Sequence, residues 1–267
     1  MIHRINKDRP IMSDLLTDSN WALLYQKTLY DFDTRERMRE SSSGAHIRVP
    51  LFHFIRTRHG NVWRFKAGLA SSLCQDLARL AARELPLSGV VSVPTSQLER
   101  LDAMRRILVS EETECVVDGG PLYRFEPKTL DCAEDSLIVT SPLSLEFADA
   151  EKKEILRREF EVDLNKVDFK APCFCFADQG KIVSICFGVR GSASSPEGSE
   201  ARLQTLPGYR RTGLASACLI RWAKAVQSLG RIPLYSPDSQ NRAARRLAES
   251  LGLALYGEQF KFWRGDL

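Results

Sequence analysis

Residues 207–215 read Pro207-Gly208-Tyr209-Arg210-Arg211-Thr212-Gly213-Leu214-Ala215, and they stand between a stretch of strand character and one of helical character. The alternating run Glu200-Ala201-Arg202-Leu203-Gln204-Thr205-Leu206 comes before them, closed by Pro207 and Gly208. A helical apolar pattern over 214–229 comes after. At a strand-to-helix turn of this kind, Arg210, Thr212 and Gly213 bring successive backbone N–H groups toward one spot. The helix opening near Leu214 adds its unpaired N–H groups and the positive end of its dipole. Gly213 has no Cβ, so a bulky anion can approach the backbone closely. The combination predicts a phosphate or pyrophosphate site, to which Arg210 and Arg211 add charge-assisted contacts. Taken alone, the string also reads as a basic loop that opens a helix.

Outward from this stretch the chain is well punctuated. Residues 232–235 read as a short strand, 241–251 as a second helix and 253–263 as one or two final strands. On the other side, 173–177 and 182–189 are apolar runs around Asp178-Gln179-Gly180-Lys181. That is hairpin chemistry, with Gly180 free to take the left-handed conformation of a tight turn. Small and polar residues over 191–199 read as a loop. Residues 149–162, with Ile155, Leu156 and Phe160 among charged helix formers, read as a helix.

Two signatures in this order resemble those of the GNAT superfamily of acyl-CoA N-acyltransferases. The first is Gln or Arg, two residues, Gly, one residue, then Gly or Ala; Arg210, Gly213 and Ala215 fill it, with Pro207 and Tyr209 ahead where members often place Pro and an aromatic. The second is an Asn-led helix ending in Leu-Gly, matched by Asn241, Ala244, Leu247, Leu251 and Gly252. The hairpin at 173–189 falls where the family places its second and third strands. Tyr235-Ser236 ahead of the Asn is similar to one bacterial branch. The resemblance covers 172–256. It implies an α+β fold, a mixed and mostly antiparallel sheet flanked by helices, preceded here by a smaller α+β region.

The resemblance also implies chemistry. Strand 201–206 would splay from strand 232–236, with the pantetheine of acetyl-CoA in the opening. Backbone groups of Leu203, Gln204 and Thr205 would hold it and polarise the thioester; Arg210, Arg211, Thr212, Gly213, Leu214 and Ala215 would hold the pyrophosphate; Asn241 would reach the pantetheine arm. A neutral amine would attack the thioester directly, with no acyl-enzyme. Glu200, alternating with Arg202 and Gln204 at the end of the splayed strand, is the candidate base; it reads equally as a solvated strand-end carboxylate. Many members carry a tyrosine acid seven residues after the Asn, and that place is Ala248 here. Tyr235 is the nearest substitute, with Tyr256 and Tyr209 behind it, each also readable as a packing residue. The departure at Ala248 keeps a second reading open: a GNAT-fold acyl-CoA-binding sensor or interaction module. ATP recognition is disfavoured, because the loop lacks the Gly-Lys-Ser/Thr ending of a P-loop.

A chain of 267 residues is long for one compact domain and comfortable for two. A boundary near Asp131 separates region 1–131 from 132–267. In the first region the apolar spacing of Leu15, Leu16, Leu23, Leu24, Tyr25 and Leu29 predicts one or two helices over 11–39. Strands at 47–55 and 61–65 meet at a turn around Arg58, His59 and Gly60, and an amphipathic helix spans 67–84. Residues 98–108 look helical, and 114–117, 122–125 and 137–139 look like short strands. This region reads as a shaper of the acceptor pocket, a homodimer surface or a partner-binding face.

A net charge of +4 with dispersed basic residues gives no reason to expect nucleic acid, and the cluster Arg242, Arg245, Arg246 reads as a solvated helix face. No apolar run approaches the ~20 residues that span a bilayer. Residues 1–14 lack the apolar core of a signal peptide. A cytoplasmic protein away from membranes is expected, acting on a small-molecule or peptide amine. The seven cysteines, Cys74, Cys115, Cys132, Cys173, Cys175, Cys186 and Cys218, form no CxxC pair, and no metal site is expected. All four histidines, His3, His46, His53 and His59, lie in the first quarter of the chain.

Overall fold

The computed structural model describes residues 17–39, 48–88, 99–109, 114–131, 157–158, 160, 172–179, 181–189 and 197–265. Helix α1 (Asp18–Leu29) is capped by Thr17, whose side chain accepts from the Asn20 N–H at 3.3 Å. The helix ends earlier than the predicted 39. Tyr30 is extended, and a two-stranded ribbon, β1 (Asp31–Phe32) with β2 (Met38–Arg39), follows. Hairpin β3 (Phe52–Arg56) and β4 (Val62–Phe65) matches the predicted strand pair. Helices α2 (Ser71–Arg83) and α3 (Glu99–Leu108) lie where the apolar spacing puts them.

Strand β5 (Cys115–Arg124) runs unbroken through Gly119, Gly120 and Pro121, where the sequence predicts a break between two short strands. The reason is tertiary. A Cβ on Gly119 would lie 2.0 Å from the Gln259 carbonyl oxygen, and one on Gly120 would lie 2.3 Å from that of Pro237. These glycines admit neighbouring backbone rather than turn the chain. Helix α4 (Pro127–Asp131) follows. The predicted strand at 137–139 lies outside the described residues, as does most of the predicted helix at 149–162; within the latter, Arg157, Arg158 and Phe160 are helical.

Strands β6 (Cys173–Asp178) and β7 (Lys181–Gly188) form the expected hairpin, with Gln179 at φ 48; Gly180 lies outside the described residues. Strand β8 (Gly198–Thr205) begins inside the stretch expected to be loop. Helix α5 (Leu214–Ser228), strand β9 (Ile232–Tyr235), helix α6 (Arg242–Ser250) and a single long strand β10 (Ala254–Arg264) complete the chain.

One eight-stranded sheet of order β4-β3-β10-β5-β9-β8-β7-β6 holds all the long strands. Every neighbouring pair is antiparallel except β8 with β9. The sheet passes through both regions separated at Asp131, because β10 pairs β3 on one edge and β5 on the other, and β5 pairs β9. Helix α1 covers one face, packing Trp21, Leu24, Tyr25 and Leu29 with Ile55, Leu122, Leu234 and Tyr256. On the opposite face α5 and α6 pack Leu219, Trp222 and Ala248 with Tyr123, Ala201 and Tyr235. Helices α2 and α3 cover that same face farther along, over Phe52, Phe54, Phe260 and Phe262. Each fully buried large apolar side chain of this kind contributes about 1.5–3 kcal/mol relative to exposure.

Candidate active site

Strands β8 and β9 pair at Gly198↔Ile232, Ser199↔Pro233 and Glu200↔Leu234, and then part. Beyond Glu200 only β7 lies alongside β8. The register shows which groups are left over. Val189 donates to the Glu200 carbonyl and Leu206 donates to that of Val183, so even-numbered residues of β8 turn their backbone toward β7. Ile232 donates to the Glu197 carbonyl, so odd-numbered residues turn toward β9. Leu203 and Thr205 therefore present backbone polar groups to the opening. Gln204 does not: its backbone faces β7, which removes it from the set of backbone contacts expected there.

At the far end of the opening a 3-10 turn at Pro207–Tyr209 leads into the loop. The Tyr209 hydroxyl donates to Asp178 Oδ2 at 2.7 Å, and Thr212 Oγ1 donates to the Tyr209 carbonyl at 2.6 Å. Arg210 Nε donates to the Thr205 carbonyl at 3.1 Å, tying the loop to the strand end. Arg211 has φ 65 and Gly213 φ 85, so left-handed residues alternate here. Such a backbone turns N–H groups toward one concavity, the geometry that binds anions. Arg210, Arg211, Thr212 and Gly213 are exposed, and no atom lies within 4 Å of where a Gly213 Cβ would be. Leu214 and Ala215 open α5, a 15-residue helix whose first N–H groups have no intrahelical partner. Backbone, dipole and two arginines converge, so the loop suits a phosphate or pyrophosphate.

Glu200 stands at the branch point, half-buried on the α1 face. Its Oε1 accepts from the Tyr25 hydroxyl at 3.0 Å and from the Ser236 hydroxyl. Tyr235 lies on the other face, among the side chains under α5, opposite Tyr123 on β5. The two catalytic candidates thus flank the parting strands from opposite sides. Burial pushes the Tyr235 phenol well up, so its hydroxyl remains protonated. Tyr256 is buried under α1, and Tyr209 is engaged with Asp178. Ala248 is fully buried in the core, so the helix position that many family members give to tyrosine is a packing position here. The Asn241 side chain caps α6, accepting from the Ala244 N–H at 3.0 Å. Its carbonyl oxygen is spoken for locally, which leaves its amide nitrogen for any ligand.

Three residues that sequence reasoning missed line up behind Glu200: Tyr25 touches it, Gln259 touches Tyr25, and His53 touches Gln259. Tyr25 comes from α1, Gln259 from β10 and His53 from β3. No local pattern marks them: Tyr25 sits in an ordinary apolar helix face, and Gln259 in a strand of aromatics. Six cysteines are buried and in no disulfide, and burial pushes Cys115 up to about 11 and Cys218 up to about 12, which makes these two poor nucleophiles. Cys132 lies outside the described residues. On α6, Arg242 and Arg246 are exposed, while Arg245 is half-buried and donates to the Ser239 carbonyl at 3.3 Å. Among the described residues no cluster of His, Cys, Asp and Glu is placed to hold a metal ion, and no helix is long and apolar enough to cross a membrane.

A parallel strand pair parts here beside a helix N-terminus, an arrangement that suits a long ligand with a phosphate-bearing end. Residues 138–259, which contain the parting strands, the loop and both flanking helices, match the family model described as GNAT acetyltransferase. Through this segment, which is a little under half of the chain, the protein is similar to the GNAT acetyltransferases. The chain is also similar, at low identity, to several solved structures. A GCN5-related N-acetyltransferase-like protein from Streptococcus suis is 16% identical, with 95% of this chain and 98% of that one covered at a TM-score of 0.46. An acetyltransferase of the GNAT family from Colwellia psychrerythraea is 13% identical, with 75% of each chain covered at a TM-score of 0.47. A Salmonella typhimurium protein solved with its cofactor acetyl-CoA is 14% identical, with 50% of this chain and 96% of that one covered at a TM-score of 0.34. No curated protein matches the sequence.

Proposed function

We propose that this protein is an N-acetyltransferase that moves an acetyl group from acetyl-CoA to a primary amine, on a small molecule or a peptide, by direct attack on the thioester. One observation carries the reading. The free edge of β8 begins at a half-buried carboxylate, Glu200, and ends at the anion-binding loop. Thr205 lies five residue steps beyond Glu200, roughly 17 Å at about 3.3 Å per strand residue. That length suits a thin arm lying along the strand, with phosphates at one end and a reacting group at the other.

Leu203 and Thr205 would pair with the arm's amides as an added strand does. The loop residues Arg210, Arg211, Thr212, Gly213, Leu214 and Ala215 would hold the pyrophosphate, and Asn241 would approach the arm through its amide nitrogen. Glu200 would take the proton of the incoming ammonium, and Tyr235 would donate a hydrogen bond to the departing sulfur from the opposite face. General-base help of this kind is worth about 10²–10⁴ in rate.

The test is release of free CoA thiol from acetyl-CoA across a panel of amines. Glu200→Gln should lower kcat within that range while acetyl-CoA affinity stays near wild type. Full activity of Glu200→Gln would end its role as the base. The buried Ala248 favours one other reading, a module that binds acyl-CoA without turnover. Tight acetyl-CoA binding with no thiol release from any amine would support that reading instead.

A further inference from the structure

Glu200 is held through one oxygen. Oε1 receives the hydroxyls of Tyr25 and Ser236, and among the described residues Oε2 has no hydrogen-bond partner. The Tyr25 hydroxyl in turn accepts from Gln259 Nε2 at 3.1 Å, and Gln259 Oε1 lies 3.1 Å from His53 Nε2. These contacts have only one consistent direction. Gln259 gives its amide N–H to Tyr25, so its oxygen must accept, and His53 must carry its proton on Nε2. Every donor in the chain His53–Gln259–Tyr25 points toward the carboxylate, and such chains strengthen one another in a dry interior. His53 and Gln259 are buried, as is Tyr25.

We propose that Tyr25, carried by the N-terminal helix α1, is a positioning residue for Glu200: its hydroxyl, backed by Gln259 and His53, fixes Oε1 and leaves Oε2 for the acceptor's proton. The inference rests on the reading of Glu200 as the base. It gives the region before Asp131 a role inside the site rather than beside it. Helix α1 is anchored for that role at its other end too, where Arg58 Nε meets Asp18 Oδ2 at 2.7 Å. Tyr25 remains a neutral donor across the working range, because burial and then the Glu200 charge push its phenol well up. The ionisable groups that feel the carboxylate's charge are Tyr25 and Tyr30 from α1 and its C-cap and Tyr256 from β10; Asp118 of β5 acts on Tyr30, and Arg202 of β8 acts on Tyr235. Lys261 of β10 lies 6.0 Å from the centre of the Tyr25 ring.

The experiment is a carbon-13 carboxyl spectrum, at fixed neutral pH, of the full chain labelled at glutamate. The Glu200 resonance is identified by its loss in Glu200→Gln. Tyr25→Phe keeps the ring and removes one hydrogen bond to Oε1, so the Glu200 resonance should move while the other glutamate resonances stay. In the same variant kcat should fall about tenfold, roughly the worth of one hydrogen bond to a charged group, with KM for acetyl-CoA unchanged. A folded Tyr25→Phe with an unmoved resonance overturns the proposal. Should that variant fail to fold by circular dichroism, Gln259→Met removes the support of Tyr25 and leaves its packing. A smaller move of the same resonance then sustains the proposal, and none overturns it. Because the resonance is read without turnover, a wild type that acetylates no amine defeats the proposed function alone. An active wild type whose Glu200 ignores both variants defeats only this inference.

Discussion

Replacing Gly198 by Ala tests how closely the N-terminal helix is seated on the central strand. A Cβ there would lie 2.0 Å from Thr28 Oγ1, 3.1 Å from Thr28 Cβ and 3.2 Å from its Cγ2. Unstrained carbon contacts fall at about 3.5–4.0 Å, so either α1 lifts off β8 or Thr28 turns. Turning is costly: Thr28 is buried, its χ1 is stiff, and Oγ1 donates to the Leu24 carbonyl at 2.9 Å. Overpacking of this kind costs about 1–3 kcal/mol. We expect about 2 kcal/mol, which lowers Tm by about 4–8 °C at roughly 2–4 °C per kcal/mol. Thr28→Ala alone loses one hydrogen bond, about 1 kcal/mol, and regains a few tenths in helix propensity. In Gly198→Ala/Thr28→Ala the nearest remaining approach of the two residues is the 3.1 Å between Cβ atoms. The double-mutant cycle should therefore return a coupling of about 1 kcal/mol or more. Lifting α1 also carries Tyr25, three residues earlier, away from Glu200, so the single variant should lose activity that the double variant recovers. Urea and thermal unfolding measure the first effect, and thiol release measures the second. A neutral Gly198→Ala, or a destabilised one that Thr28→Ala does not rescue, would refute the reasoning.

Gly213→Glu should abolish acetyl-CoA binding in calorimetric titration, because a carboxylate would stand where phosphate oxygens must approach. At φ 85 the side chain also costs the fold about 1–2 kcal/mol, so Gly213→Ala, which carries the strain without the charge, should keep measurable binding; equal loss in both would assign the effect to strain. The His53 ring is held well below its ordinary 6.5, first by burial and then by Lys261. The unfolded chain therefore takes up this proton at higher pH than the fold does. The stability concerned is complete above pH 6.5 and is lost as pH falls below it, by up to about 1.4 kcal/mol per unit. Urea midpoints between pH 5 and 7 should show this slope, and His53→Gln should flatten it; an unchanged slope would place the titration elsewhere.

Local pattern was enough for the C-terminal elements. The strand at 232–235, the helices opening at Leu214 and Arg242, and the turn residues between β6 and β7 follow from periodicity, caps and breakers, each settled within a few neighbours. The strand–loop–helix string at 200–215 likewise reads as a candidate anion site, because a helix N-terminus offers unpaired N–H groups and the positive end of its dipole within a few residues. What local pattern misreads is Gly119-Gly120-Pro121, which looks like a turn and is a strand that admits the backbones of Gln259 and Pro237. The partners of Glu200 lie further still from legibility. Tyr25 is 175 residues away from Glu200 and 211 from Ser236, and Gln259 is 234 from Tyr25. Nothing in a helix face of Trp21, Leu24, Tyr25 and Leu29 distinguishes the tyrosine whose hydroxyl finds a carboxylate from one that merely packs. That difference is made when β5 enters the sheet between β9 and β10 and α1 lies across it, since a buried hydroxyl takes its partner from whatever the assembled sheet sets opposite it.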